Sequence, residues 1–310
     1  MPPSDLAAAA TRVLRTDTTA VLFLARGVDN GRAAAEAFFQ SYRSHPAGHP
    51  HSLVVLTKGW DGQPGLEDVI RWTASLGGQA LALPDDGFDF AAYFRAVPQL
   101  TQHWVCLLNT NSRICADNWL ARLVVASAKA GVGAVGATGS WESSLRTVRS
   151  SWPQGGLLRT GWHAARVGFN FLRFPEFPNP HLRSNAMLMR RSLFAEFAAA
   201  RRVPRAKRDA QALESGRRGL SAFVRSRGLE LVVAGADGRT FPAEKWPGSG
   251  TFRIHGHPNL LVSDNQTRGF DAANSATQCS LQLAAWGRVL ARPEVSCSGI
   301  GQSEPAAVPK

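Results

Sequence analysis

At 310 residues, with 44% hydrophobic and 19% charged side chains, the chain has the length for one large α/β domain or two small ones. Its composition is that of a globular protein and not of a disordered one. A formal net charge of +12 favours anionic partners such as nucleotide phosphates or an acidic membrane surface, and no helix-turn-helix, zinc-finger or RNP signature supports nucleic acid. No apolar stretch approaches the roughly 20 residues that span a bilayer. The extension 1–19 lacks the basic region and long apolar core of a secretory signal. The four cysteines, Cys106, Cys115, Cys279 and Cys297, have neither CxxC nor Cys/His ligand spacing and read as reduced, mostly buried thiols. A cytoplasmic location is expected, and the positive surface is compatible with peripheral contact at an anionic inner membrane.

In chain order, AVLFLA (Ala20–Ala25) is continuously apolar, as a strand buried on both faces should be. A helix over Gly31–Arg43 follows, then a strand over Ser52–Thr57, a helix over Leu66–Leu76, a short strand over Gln79–Leu83 and a helix over Phe88–Val97. The strand His103–Leu108 runs directly into Asn109-Thr110-Asn111, and a helix over Trp119–Lys129 comes next. Strands alternating with helices predict βαβ units and a mostly parallel sheet whose carboxyl ends share one edge. Ligands collect at such an edge in open α/β sheets. It would gather Arg26, Lys58, Asp85, Asp86 and Asn109–Arg113.

The pattern changes after Ser140. One helix is expected around Gly161–Leu172, a strand over Ser184–Met189, a helix over Ser192–Ala200 and a loop through the basic run RRVPRAKRD (Arg201–Asp209). A helix near Gly219–Arg227, a strand over Glu230–Ala234, an irregular polar stretch over Trp246–Asn274 and a helix over Ser280–Leu290 complete the chain. The tail 298–310 reads as disordered. GVGAVG (Gly131–Gly136) satisfies the dinucleotide pattern GxGxxG, but a helix precedes it and VGAVGA itself reads as strand, so it is rejected as a nucleotide loop.

Four segments carry a family resemblance: DDGFDFAAY (Asp85–Tyr93), LLNTNSR with ADNWL (Leu107–Leu120), NPHLRSNAMLMRRSLF (Asn179–Phe194) and ESGRRGLSAFVRSRGLELVV (Glu214–Val233). In order and spacing they resemble bacterial glycosyltransferases of the type A fold, near glycosyltransferase family two and the rhamnan-synthesis-type enzymes. The resemblance spans roughly residues 20 to 286. It implies a single type A domain with a mostly parallel, Rossmann-like central sheet and helices on both faces. Residues 20–140 would form the nucleotide-sugar half and 141–297 the acceptor half. The implied activity is transfer of a sugar from a nucleotide-sugar donor to a hydroxyl of a bacterial surface glycan or lipid-linked precursor. The alternative is a catalytically inactive type A domain serving as a binding or scaffold subunit.

The resemblance also distributes roles. Glu214 stands where inverting members carry an acidic residue opening a helix beside the acceptor, and Asp209 is second choice as base. Asp86 and Asp89 lie in a segment that touches the donor, although a helix N-cap is an equal account of either. Arg26 and Lys58 would lie near base and ribose. Asn109 and Asn111 occupy the Asp-x-Asp position; they could contact ribose or phosphate, or simply form a polar turn. Neutral amides are poor ligands for Mg²⁺ or Mn²⁺, so the departure puts the metal such enzymes use in doubt without removing it; if no metal binds, side-chain cations would have to meet the diphosphate, with Arg113, Arg183, Lys245 and His255 as candidates. His181 could compete as base or contact the acceptor. His255 and His257 fit loosely a late metal ligand, and Asp264-Asn265-Gln266 could line the site or make an Asx turn.

Overall fold

The computed structural model describes residues 19–28, 30–145 and 170–290. The N-terminal extension, most of the helix expected around Gly161–Leu172, Cys297 and the tail 298–310 lie outside them. Eight strands form the central sheet: β1 (Thr19–Arg26), β2 (His51–Lys58), β3 (Gln79–Ala82), β4 (Trp104–Leu108), β6 (Val132–Gly136), β9 (Met187–Arg190), β10 (Glu230–Ala234) and β11 (Thr240–Pro242). Their spatial order is β11-β10-β6-β9-β4-β1-β2-β3. β3, β2, β1 and β4 run parallel, as do β6 and β10, whereas β9 is antiparallel to both its neighbours and β11 to β10. Among the described residues two short antiparallel ladders add β5 (Arg113–Ile114) with β12 (Val262–Ser263), and β7 (Gly139–Ser140) with β8 (His181–Leu182).

The apolar run of β1 serves two faces, as a period of two requires. Ala20, Leu22 and Leu24 join one core cluster; Val21, Phe23 and Ala25 join the other. The second cluster is closed by α1 (Gly31–Ser44) and α4 (Trp119–Ser127). Ala35, Phe38 and Phe39 recur at helical spacing on α1, and Phe38 stacks on Phe23 with ring centroids 3.6 Å apart. The first cluster is closed by α3 (Asp89–Ala96), α5 (Arg191–Ala199) and α7 (Leu220–Ser226), through Phe90, Phe94, Phe194, Phe197 and Phe223. α2 (Leu66–Ser75) packs beside α1, while α6 (Lys207–Ser215), α8 (Asn265–Asp271) and α9 (Ser275–Trp286) belong to the second half of the chain.

The expected α/β layering is present, with a large, mostly parallel sheet and helices on both faces. GVGAVG is strand β6, preceded by α4, so it has no glycine-rich turn opening a helix. Three local expectations are corrected. The basic run is a loop only to Ala206, because Asp209 closes a capping arrangement and starts α6 at Lys207. The stretch after Trp246 contains α8, whose first turn is capped by Asp264, and α9 starts at Ser275, where Asn274 accepts from Thr277 N–H. β9 begins at Met187 and not at Ser184, since Ala186 adopts φ 51° and interrupts the extended backbone. Cys279 is disulfide-bonded, Cys115 is exposed and Cys106 is a buried thiol, so the reading of four reduced thiols is corrected at Cys279.

Phe23 is fully buried against α1. Phe23→Ala is expected to destabilise the fold by about 3–5 kcal/mol, read as a lower denaturant midpoint at unchanged m-value.

Candidate functional site

Six of the eight strands point their carboxyl ends to one edge, and a cleft of about 500 Å³ opens there. The antiparallel β9 starts where its neighbours end: Met187 lies opposite Leu107 on one side and Gly136 on the other. The segment leading into it, His181–Asn185, is thereby delivered to the same edge. The two small ladders add the rest. Pairing of Ser140 with His181 draws Glu142 in, and pairing of Ser263 with Arg113 sets Asp264 beside the turn that follows β4. The cleft is lined by Arg26, Asp89, Asn109, Thr110 and Asn111 from the first half. Glu142, His181, Arg183, Lys207, Glu214 and Asp264 line it from the second.

The Asn109 turn is held from several sides. Asn109 Oδ1 accepts from the Asn111 N–H at 2.9 Å, the hydrogen bonding of an Asx turn, and lies 3.4 Å from the Ser112 hydroxyl, whose proton goes to Asn185 Oδ1 at 2.6 Å. Arg268 donates to the Asn111 carbonyl at 3.1 Å. Behind it, Tyr93 donates its hydroxyl to the Leu108 carbonyl at 2.9 Å, tying α3 to the end of β4. Asp89 occupies the first turn of α3 and faces the cleft. Burial, and next the Glu214 carboxylate, raise its pKa. The turn before it requires glycine: Gly87 has φ 60°, and a Cβ there would stand 2.7 Å from that of Ala91.

On the opposite wall, Glu214 lies in the last turn of α6; it does not open a helix, as expected, because α6 starts at Lys207. Its Oε1 accepts from the Ser184 N–H at 2.7 Å, which fixes the carboxylate, and Oε2 has no hydrogen bond among the described residues. His181 Nδ1 lies 2.8 Å from the Asn179 carbonyl. A carbonyl only accepts, so Nδ1 carries the proton and the neutral ring leaves Nε2 with its lone pair. Burial lowers the His181 pKa against the pull of Glu214, so the ring is neutral near pH 7. Arg183 is nine-tenths buried, with Cζ 4.6 Å from the centroid of the Phe252 ring and Nη2 3.4 Å from Asp264 Oδ2. Burial opposes its charge, but Asp264, Glu214 and Glu142 together hold its pKa above the ordinary value. Asp264 also accepts from the Gln266 and Thr267 N–H groups at the start of α8. It therefore both lines the cleft and caps a helix, and its pKa is lowered: Arg183 and these donors outweigh burial.

Arg26, Asp89, Asn109, Asn111, His181, Arg183 and Glu214 thus converge, together with Asp264, Asn265 and Gln266, whereas Lys58, Asp86, Arg113, Asp209, Lys245, His255 and His257 do not line the cleft. Lys58 is buried beneath the 85–87 turn, donating to the Asp86 and Gly87 carbonyls at 3.1 Å each, with Asp85 at 3.5 Å. It braces the loop and does not line the cleft. Asp86 is exposed and held by Arg95, which lowers its pKa. Asp209, the second choice as base, is engaged outside the cleft lining: Arg173 at 2.6 Å lowers its pKa, and its other oxygen caps α6 by accepting from Arg205 and Ala206 N–H. Arg113, Lys245 and His255 are exposed and absent from the cleft lining. His257 is buried, with Nδ1 3.0 Å from Asp271, away from the lining. Glu142, Lys207 and Gln211 line the cleft without having been singled out in the sequence.

No family model and no curated protein matches the chain. Among solved structures it is similar to the mannosyltransferase PcManGT from Pyrobaculum calidifontis, in complex with GDP-Man and Mn²⁺. That likeness has 13% identity over 91% of this chain and 72% of that one, at a TM-score of 0.44. A CMP:2-keto-3-deoxy-manno-octonic acid synthetase complexed with CTP is similar at 9% identity, covering 70% of this chain and 88% of that one, TM-score 0.41. Glucosyl-3-phosphoglycerate synthase from Mycobacterium tuberculosis, in complex with Mn²⁺, UDP-glucose and phosphoglyceric acid, is similar at 17% identity over 62% of this chain and 63% of that one, TM-score 0.36. All three likenesses are distant.

Because the folded pKa of Asp89 is raised, ionisation of the unfolded chain above about pH 3.9 costs stability until the folded group also ionises. Asp89→Asn removes that cost. Its stability relative to wild type is expected to be unchanged at pH 3 and to grow as pH rises toward 7, measured by urea midpoints across that range.

Proposed function

We propose that this chain is a glycosyltransferase that moves a sugar from a nucleotide-sugar donor to a hydroxyl of a bacterial surface glycan or lipid-linked precursor. The observation that carries the reading is the convergence, at the carboxyl edge of one sheet, of a polar donor-side wall (Arg26, Asp89, Asn109, Asn111) with a wall bearing Glu214, His181 and Arg183. Such a cleft suits an elongated substrate with a charged diphosphate in its middle. A predominantly parallel sheet with ligands at its carboxyl edge is the architecture on which nucleotide binding recurs. The four sequence segments that resemble type A glycosyltransferases supply three of these seven residues on the first wall and all three on the second.

In an inverting displacement, the acceptor hydroxyl would hydrogen-bond to Glu214 Oε2, whose partner oxygen is fixed by Ser184. As the hydroxyl oxygen bonds to the anomeric carbon, its proton passes to Glu214. The bond from that carbon to the diphosphate breaks with its electron pair on the departing phosphate oxygen. His181, neutral and with Nε2 unprotonated, would accept a second hydrogen bond from the acceptor. The net charge of +12 suits an acceptor carried on a phosphate-bearing lipid at an anionic membrane.

A panel of UDP-, GDP- and dTDP-sugars is expected to contain at least one donor that raises the melting temperature and releases nucleoside diphosphate on addition of acceptor. A flat response across the panel would end this reading. Glu214→Gln is expected to lower turnover by about 10²–10⁴-fold while leaving donor binding near wild type, measured by transfer assay and calorimetry.

A further inference from the structure

The donor-side turn does not fit a divalent cation. Asn109 Oδ1 is the neutral oxygen of an amide and already accepts from Asn111 N–H. Asp264, which follows the strand β12 paired with β5 just after that turn, divides its two oxygens among Gln266 N–H, Thr267 N–H and Arg183. A dication placed on it would meet the guanidinium already 3.4 Å away. Among the described residues, no group of three His, Cys, Asp or Glu side chains is disposed to hold a metal ion.

Arg183 shows the complementary imbalance. It lines the cleft, is nine-tenths buried, and has five N–H donors. Its one hydrogen bond among the described residues is the long contact to Asp264, and its buried Nε–H has no partner. A buried guanidinium left so far short of acceptors is costly unless something supplies them. Its planar fork suits two phosphate oxygens. Stacking on Phe252 and the anchor to Asp264, itself fixed at the start of α8, hold that fork in place. The second buried guanidinium beside the same ring, that of Arg253, spends its terminal nitrogens on Gln266 and does not line the cleft. Lys207 adds an exposed positive charge from the start of α6 on the same lining.

We infer that Arg183 is the anion hook of this cleft, and that it holds the diphosphate of a nucleotide ligand without a divalent cation. The inference rests on the nucleotide-sugar reading and narrows it. Charge developing on the departing phosphate would then be met by a fixed guanidinium already desolvated and oriented, with no ion to recruit.

The test is calorimetric binding of UDP, GDP and dTDP to the full chain, in EDTA and separately in Mn²⁺ and Mg²⁺. At least one diphosphate is expected to bind in EDTA with a Kd within about threefold of that with metal. Arg183→Gln and Arg183→Lys are expected to weaken that binding by about ten- to a hundredfold, while the matching uncharged nucleoside binds as to wild type. Binding that appears only with metal would overturn the inference and leave the nucleotide reading standing. Loss of nucleoside and diphosphate binding together in Arg183→Gln, with Arg183→Lys binding both as wild type, would also overturn it. No binding of any diphosphate in any arm would overturn the nucleotide reading itself.

Discussion

The site depends on one strand running against its neighbours. β9 lies between β4 and β6, antiparallel to both, so its start sits level with their ends. In an all-parallel sheet, loops at the carboxyl edge come only from segments leaving strands. Here one enters, and it carries His181, Arg183 and Ser184. Because β4 ends in the Asn109 turn, groups from the two halves of the chain meet across the width of a single strand. The hydrogen-bond register, Leu107 to Met187, sets that meeting and any slip by one residue would turn the strand's side chains to the other face.

The electrostatics of the cleft follow from that convergence. Asp89, Glu142, Glu214 and Asp264 share it with Arg26, Arg183 and Lys207, yet the charges are not paired off at random. Asp264 is bound into the start of α8, Glu214 is aimed by a backbone N–H, and Asp89 is driven toward its protonated form by burial and by Glu214. A carboxyl held at a cost to stability is common where function needs it.

The sheet was legible because β1, β2 and β4 are uninterrupted apolar runs separated by helical spacing, and burial on both faces leaves few other readings. The edge was legible too, since right-handed crossovers place every such strand end together. What escaped were features settled by side-chain hydrogen bonds. α6 buries only Leu213, so its apolar period is weak and the preceding basic run hides its start. The direction of Lys58 was opaque for a similar reason: at the end of a strand its amine can as easily point to solvent, and only the carbonyls of Asp86 and Gly87 in the turn above it decide otherwise. Asp209 and Glu214 lie five positions apart on one helix, and sequence offered both as bases; Arg173 and the cap claim the first, and the cleft keeps the second.

The two walls differ in how firmly they are made. β1 and β2 share eight aligned residue pairs, whereas the ladders that bring in Glu142 with His181 and Asp264 with Arg113 have two each. Local opening costs least where backbone pairing is sparse. The wall that carries Glu142, His181 and Asp264 is therefore the compliant jaw of an otherwise stiff vice, and the cleft widens on that side first.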